Sequence, residues 1–144
     1  MTGKKLGERG LTLVELMVVI VIIGLISGIV VFNVLPAAEK AAVSTARTDI
    51  KRLEAALTQY RLDMQSFPSQ QQGLTALVEM PRGVRRPERY QTGGYVKSLP
   101  SDPWGNSYVY LYPGEFGEYD IISYGRDGRP GGEGLDADIG SWQE

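Results

Sequence analysis

The sequence predicts an α+β chain: a long N-terminal α-helix, apolar in its first half and amphipathic in its second, packed on a small C-terminal antiparallel β-sheet with a Gly/Asp-rich loop. Three observations predict it. Residues 16–32 read LMVVIVIIGLISGIVVF without a charge, and apolar residues between Val43 and Met64 recur at helical spacing. Two short β-prone runs, Ser107 to Tyr112 and Tyr119 to Ser123, flank a cluster of turn residues. The 144 residues include neither cysteine nor histidine. A disulfide framework, thiolate catalysis, a Ser-His-Asp triad and His-ligated zinc are therefore excluded. With 15 Lys+Arg against 17 Asp+Glu the net charge is −2, which does not fit a dedicated nucleic-acid binder.

The first element is a basic leader, residues 1–10, with Lys4, Lys5 and Arg9 against Glu8. The second is an apolar segment, 11–35, in which Thr12, Glu15 and Asn33 are the only interruptions outside the charge-free stretch 16–32. About 20 helical residues cross the ~30 Å hydrocarbon core, so this segment is long enough to span a membrane. The positive-inside rule keeps the leader cytoplasmic and sends the polar C-terminal part across. The stretch is too long for a secretory signal peptide, and no A-x-A-like site closes it. Glu15 disturbs a plain signal anchor, because a carboxylate at mid-membrane costs roughly 2.5–3.5 kcal/mol on insertion scales and less near the interface. It can sit at headgroup depth, benefit from the positive end of the helix dipole, or pair with a cation from a neighbouring helix.

Pro36 removes one helix hydrogen bond, so a kink or break is expected near residues 33–36. Beyond it, residues 36–65 form an amphipathic helix. Val43, Ala46, Ile50, Leu53, Leu57, Tyr60 and Met64 make one stripe, opposite Lys40, Arg47, Lys51, Glu54 and Arg61. Together the two helical segments extend on the order of 80 Å. The rest, 66–144, is the head that covers the stripe. Ser66 to Ser69 ends the helix, and Gly73 to Val78 reads as a short second helix. Residues 81–92 form a loop with Arg82, Arg85, Arg86 and Arg89, which reads as a solvated charge run ahead of a nucleic-acid or anionic-lipid patch. The two β-prone runs form a hairpin around Pro113 to Gly117. Trp104 and Trp142 read as packing residues.

Between Ser123 and Gly140 the chain reads SYGRDGRPGGEGLDADIG, with Asp127, Glu133, Asp136 and Asp138 among glycines that let carbonyls turn inward. Carboxylate and carbonyl oxygens are the hard donors Ca²⁺ requires, six to eight of them. The loop is no EF-hand, since Arg129 and Gly131 occupy positions that would need oxygen side chains if Asp127 came first. An exposed acidic loop without metal is the competing reading. A carboxylate pair for glycoside hydrolysis finds no aromatic-lined cleft or large scaffold to support it.

Gly10-Leu11-Thr12-Leu13-Val14-Glu15, after a basic leader and before an apolar helix, resembles the processing site of type IV pilins and type II secretion pseudopilins. The resemblance implies that a prepilin peptidase cuts after Gly10 and methylates the new amine on Leu11, where the family usually has Phe. It also implies that Glu15 is the assembly glutamate. Cleavage would leave 12 basic and 16 acidic side chains, or −4, since Lys4, Lys5, Arg9 and Glu8 go with the leader. The new amine would lie within reach of a neighbour's Glu15, an attraction far stronger in low dielectric than in water.

Four further stretches are similar to the G-type, major pseudopilin: FPSQQQGLTALV, GGYVKSLPSDPWGN, PGEFGEYDI and the Gly-rich acidic tail. This implies a pilin-like fold, no enzymatic activity, and a calcium ion bracing the loop. Carried over by position, Asp127 and Asp136 are the first side-chain ligands with the Tyr124 carbonyl as backbone donor; Asp138 and then Glu133 come behind them. It further implies a homopolymer built by an inner-membrane assembly platform and its ATPase, with minor pseudopilins as partners, membrane lipid around the subunit before assembly, and no nucleic acid. The precursor would be single-pass in the bacterial inner membrane with its head in the periplasm. A type IV or DNA-uptake pilin, and a signal-anchored periplasmic domain, are the alternative readings.

Overall fold

The computed structural model describes residues 12–143, with helical backbone but no described side chains at 28–36. Helix α1, Leu13–Met64, runs 52 residues. The helix is not broken at 33–36, since the backbone is helical through Pro36. A proline forfeits one hydrogen bond to the preceding turn, and the strong helix-forming segments on both sides outweigh that loss.

The chain divides into two units, Met1–Ala38 and Glu39–Glu144. In the first, every described side chain from Thr12 to Ile26 is exposed, Leu13 at 70% and Leu25 at 65%. An unbroken apolar surface of this kind requires a partner that is not water. Among the described residues no helix is long and apolar enough to cross a membrane. The expected span 11–35 lies partly outside the described side chains.

In the second unit the stripe on α1 forms the core. Ala46, Ile50, Leu53, Leu57 and Tyr60 are buried among Leu74, Leu77, Tyr108, Tyr110, Ile121 and Ile139, with Val43 and Met64 half-buried at its ends. The helix stops where Gln65 turns into the left-handed region, φ 63°, and its N–H returns to the Arg61 carbonyl at 2.8 Å. The expected second helix is one 3₁₀ turn, Leu74–Leu77, that inserts Leu74, Ala76 and Leu77 into the core.

The expected hairpin is present as β1, Val109–Leu111, antiparallel to β2, Asp120–Ser123, with Tyr110 opposite Ile121. Asp120, buried at the start of β2, accepts the Glu115 N–H at 2.6 Å and the Phe116 N–H at 3.0 Å, which closes the turn. A third strand, β3, Ile139–Gly140, was not foreseen and extends the sheet in the order β1-β2-β3. Two residues are too short to show alternation. On the outer edge of β1 the Gln70 amide donates to the Tyr110 carbonyl and accepts the Tyr112 N–H, at 2.9 and 2.7 Å, so a side chain blocks that edge.

Candidate functional site

Two places carry the chemistry singled out in the sequence. The first is the start of α1. Glu15 Oε2 accepts the Thr12 N–H at 2.9 Å and the Thr12 hydroxyl at 3.0 Å, while Thr12 Oγ1 accepts the Glu15 N–H at 3.2 Å. This is a reciprocal capping box, in which helix-end groups without intrahelical partners satisfy one another. Within one chain Glu15 is thus already hydrogen-bonded. Thr12 is a functional residue the sequence reading passed over, although Thr-x-x-Glu ahead of an apolar run is a recognisable capping signal. Gly10 and Leu11 lie outside the described residues.

The second place is the loop between β2 and β3, whose two arms cross at Gly125. There φ is +63°, and an added Cβ would meet the Leu135 carbonyl oxygen at 2.7 Å and that of Ala137 at 2.9 Å, so only glycine fits. The Arg126 N–H donates to Leu135 O at 2.9 Å, tying the arms together. The crossing is held from below by the DPWGN turn. Buried Asp102 accepts the Trp104 and Asn106 N–H groups at 3.1 and 2.7 Å through one oxygen and the Ser123 hydroxyl at 2.7 Å through the other. Ser123 Oγ accepts the Gly125 N–H at 3.3 Å, and the Asn106 amide donates to the Gly125 carbonyl at 3.2 Å. DPWGN therefore frames the loop, a role its turn composition alone did not disclose.

The acids of the loop have distinct positions. Asp127 Oδ1 accepts the Arg129 N–H at 3.1 Å, a local turn contact. Asp136 is gripped by Arg126 through two parallel bonds of 2.9 and 3.1 Å. That grip raises the Arg126 pKa, chiefly through the hydrogen bond and then through the charge of Asp136. Asp138 Oδ2 accepts the Gly131 N–H at 2.9 Å, whereas its Oδ1 is buried and finds no hydrogen-bond partner among the described residues. A buried carboxylate oxygen with nothing to accept is costly, and a cation would relieve it. Glu133 is exposed, and Tyr124 directly follows β2. Among the described residues no cluster of three or more acidic side chains is placed to hold a metal ion, so a cation here would depend on backbone carbonyls as well.

A bare apolar helix start, an amphipathic continuation seated on a small antiparallel sheet, and a pinned C-terminal loop define the class of pilin-like subunits. Residues 33–142 match the family described as type II secretion system protein G, and residues 5–31 match the prokaryotic N-terminal methylation motif. The chain belongs to the type II secretion system protein G family. It is 49% identical over 94% of its length to the type II secretion system core protein G of Pseudomonas aeruginosa, covering 95% of that protein. To the core protein G of Vibrio cholerae it is 50% identical, over 94% of this chain and 92% of the relative. The fold is similar to the crystal structure of the major pseudopilin from the type 2 secretion system of enterohaemorrhagic Escherichia coli. That match has a TM-score of 0.66 at 41% identity, over 76% of this chain and 94% of the other.

Proposed function

We propose that the chain is the structural subunit that polymerises into the periplasmic pseudopilus of a type II secretion system and so supports export of folded proteins across the outer membrane. The observation that carries this reading is the continuous exposed apolar surface at the start of α1, in a chain that matches both the protein G family and the methylation motif. The role is architectural. The precursor sits in the inner membrane by its apolar helix, a prepilin peptidase removes residues 1–10, and Leu11 becomes the methylated N-terminus. Neighbouring apolar helices then pack into the fibre core, driven by the assembly platform and its ATPase, with minor pseudopilins as further partners. Lipid is as apolar as leucine, so helix burial gives little net drive in the membrane, and polar pairing sets the register. Glu15 meets the new amine of the next subunit, and the Thr12 cap holds the carboxylate until that amine arrives.

A calcium ion bracing the β2–β3 loop belongs to the same reading. Asp127 and Asp138 would hold it with the Tyr124 carbonyl, and the unpartnered oxygen of Asp138 supports its place. Asp136, ranked ahead of Asp138 on sequence grounds, is engaged by Arg126 and would have to leave that pair to become a ligand. The bound ion would supply charge neutralisation for a loop that has little apolar core of its own.

Membrane fractionation and fibre sedimentation of Glu15→Ala test the proposal. The variant should insert like the wild type and form no fibres; wild-type fibre yield would remove the assembly role.

A further inference from the structure

Arg82, Arg85, Arg86 and Arg89 project from one exposed segment that contains a single acid, Glu88. Among the described residues none of the four makes an ion pair, and Arg86 reaches only the Gln65 amide oxygen at 3.5 Å. The segment is nonetheless firmly built. A 3₁₀ turn at Pro87–Arg89 ends in Tyr90, whose hydroxyl donates to the Ala76 carbonyl at 3.0 Å and whose ring stands edge-on to Tyr60 and Tyr95. Beside it opens a recess of about 460 Å³, lined by Tyr60, Gln65, Gln72, Arg85 and Arg86. Four arginines and no lysine offer planar forks suited to paired oxygens.

The same head supplies the complement. Residues 82–89 carry a net +3, four arginines against one glutamate, whereas residues 113–140 carry −5, seven acids against two arginines. Glu115 and Glu133 are exposed in that acidic region and engaged in no ion pair among the described residues. A positive patch and a negative patch at different places on one chain are the conditions for a head-to-tail contact, which propagates into a filament when it does not close.

We propose that the arginine segment 82–89 is a subunit contact that receives the exposed carboxylates of Glu115 and Glu133 from a second copy of this chain. The inference rests on the polymer reading above and assigns one of its contacts. Such pairs orient and steer subunits more than they bind them, and salt screens them.

The test uses the full chain assembled in its host. The triple variant R82E/R85E/R89E should insert and fold like the wild type by circular dichroism yet yield about tenfold fewer fibres, the effect of losing several exposed ion pairs at each contact. Adding Glu115→Arg and Glu133→Arg to the same chain should restore fibre yield to near wild type. Wild-type yield from the triple variant, or no recovery in the compensated chain, would overturn the contact. Unchanged fibres with lost binding to phosphatidylglycerol vesicles would overturn it too, and assign the segment to anionic lipid. If the wild-type chain itself forms no fibres, it is the polymer reading that fails.

Discussion

Asp138 holds one buried oxygen that nothing in its surroundings satisfies, while Asp136, two residues earlier, is fully spoken for by Arg126. The two acids should therefore answer differently to calcium. Adding a chelator to the purified full-length protein should lower its melting temperature; Asp138→Ala should abolish that response and Asp136→Ala should leave it. Equal responses in the two variants would remove the distinction. Asp102 acts at the same scale. It satisfies two N–H groups and a hydroxyl while itself buried, so Asp102→Ala should cost about 2–4 kcal/mol in chemical denaturation, the price of several orphaned partners. Glu15 and the acidic glycine-rich loop were visible in the sequence because both are exceptions to their surroundings, a charge in oil and carboxylates among glycines. Asp102 and Asn106 were not legible as framing residues, because their decisive hydrogen bonds reach Ser123 and Gly125, 21 and 19 residues away, which spacing does not encode.

Among the elements, the stripe from Val43 to Met64 was legible because its spacing is helical and every member is buried or half-buried. The hairpin was legible from its turn residues. Strand β3 was not, since Ile139 and Gly140 earn their place only by pairing with Ile122 and Ser123. Gly125→Ala tests the loop as an element. A β-carbon at this crossing must displace backbone on the returning arm, so the variant should lose about 1–3 kcal/mol or more of stability. The head is also rich in tyrosines whose burial raises their pKa: Tyr108 and Tyr110 strongly, Tyr60, Tyr90 and Tyr119 upward, and Tyr95 to about 12. Burial comes first in each case, and at Tyr108 the charge of Asp49 adds to it. A phenol whose pKa is higher folded than unfolded stabilises fully below the unfolded value of 10 and loses that contribution as pH rises through its folded value. The tyrosine contribution to stability should accordingly be flat below pH 10 and fall above it, with phenolate absorbance rising together with unfolding; ionisation well ahead of unfolding would contradict the burial.

At the scale of the whole molecule, residues 39–144 form a head with its own core, while the described start of α1, from Leu13 to Ile26, exposes leucine, isoleucine and valine around the single charge of Glu15. That division suits a fibre subunit, whose head carries its own core while its apolar helix start is left for neighbours. Within one chain the carboxylate at the head of the apolar helix is bonded to Thr12; the proposed assembly role would begin only once the leader is gone and the amine of a neighbouring subunit reaches it. The most direct test is the intact mass of the protein recovered from sheared, native fibres. The account predicts a chain that starts at Leu11 and is one methyl group heavier than the bare polypeptide. Fibres built from subunits that still carry residues 1–10 would contradict it, because the partner for Glu15 would then not exist.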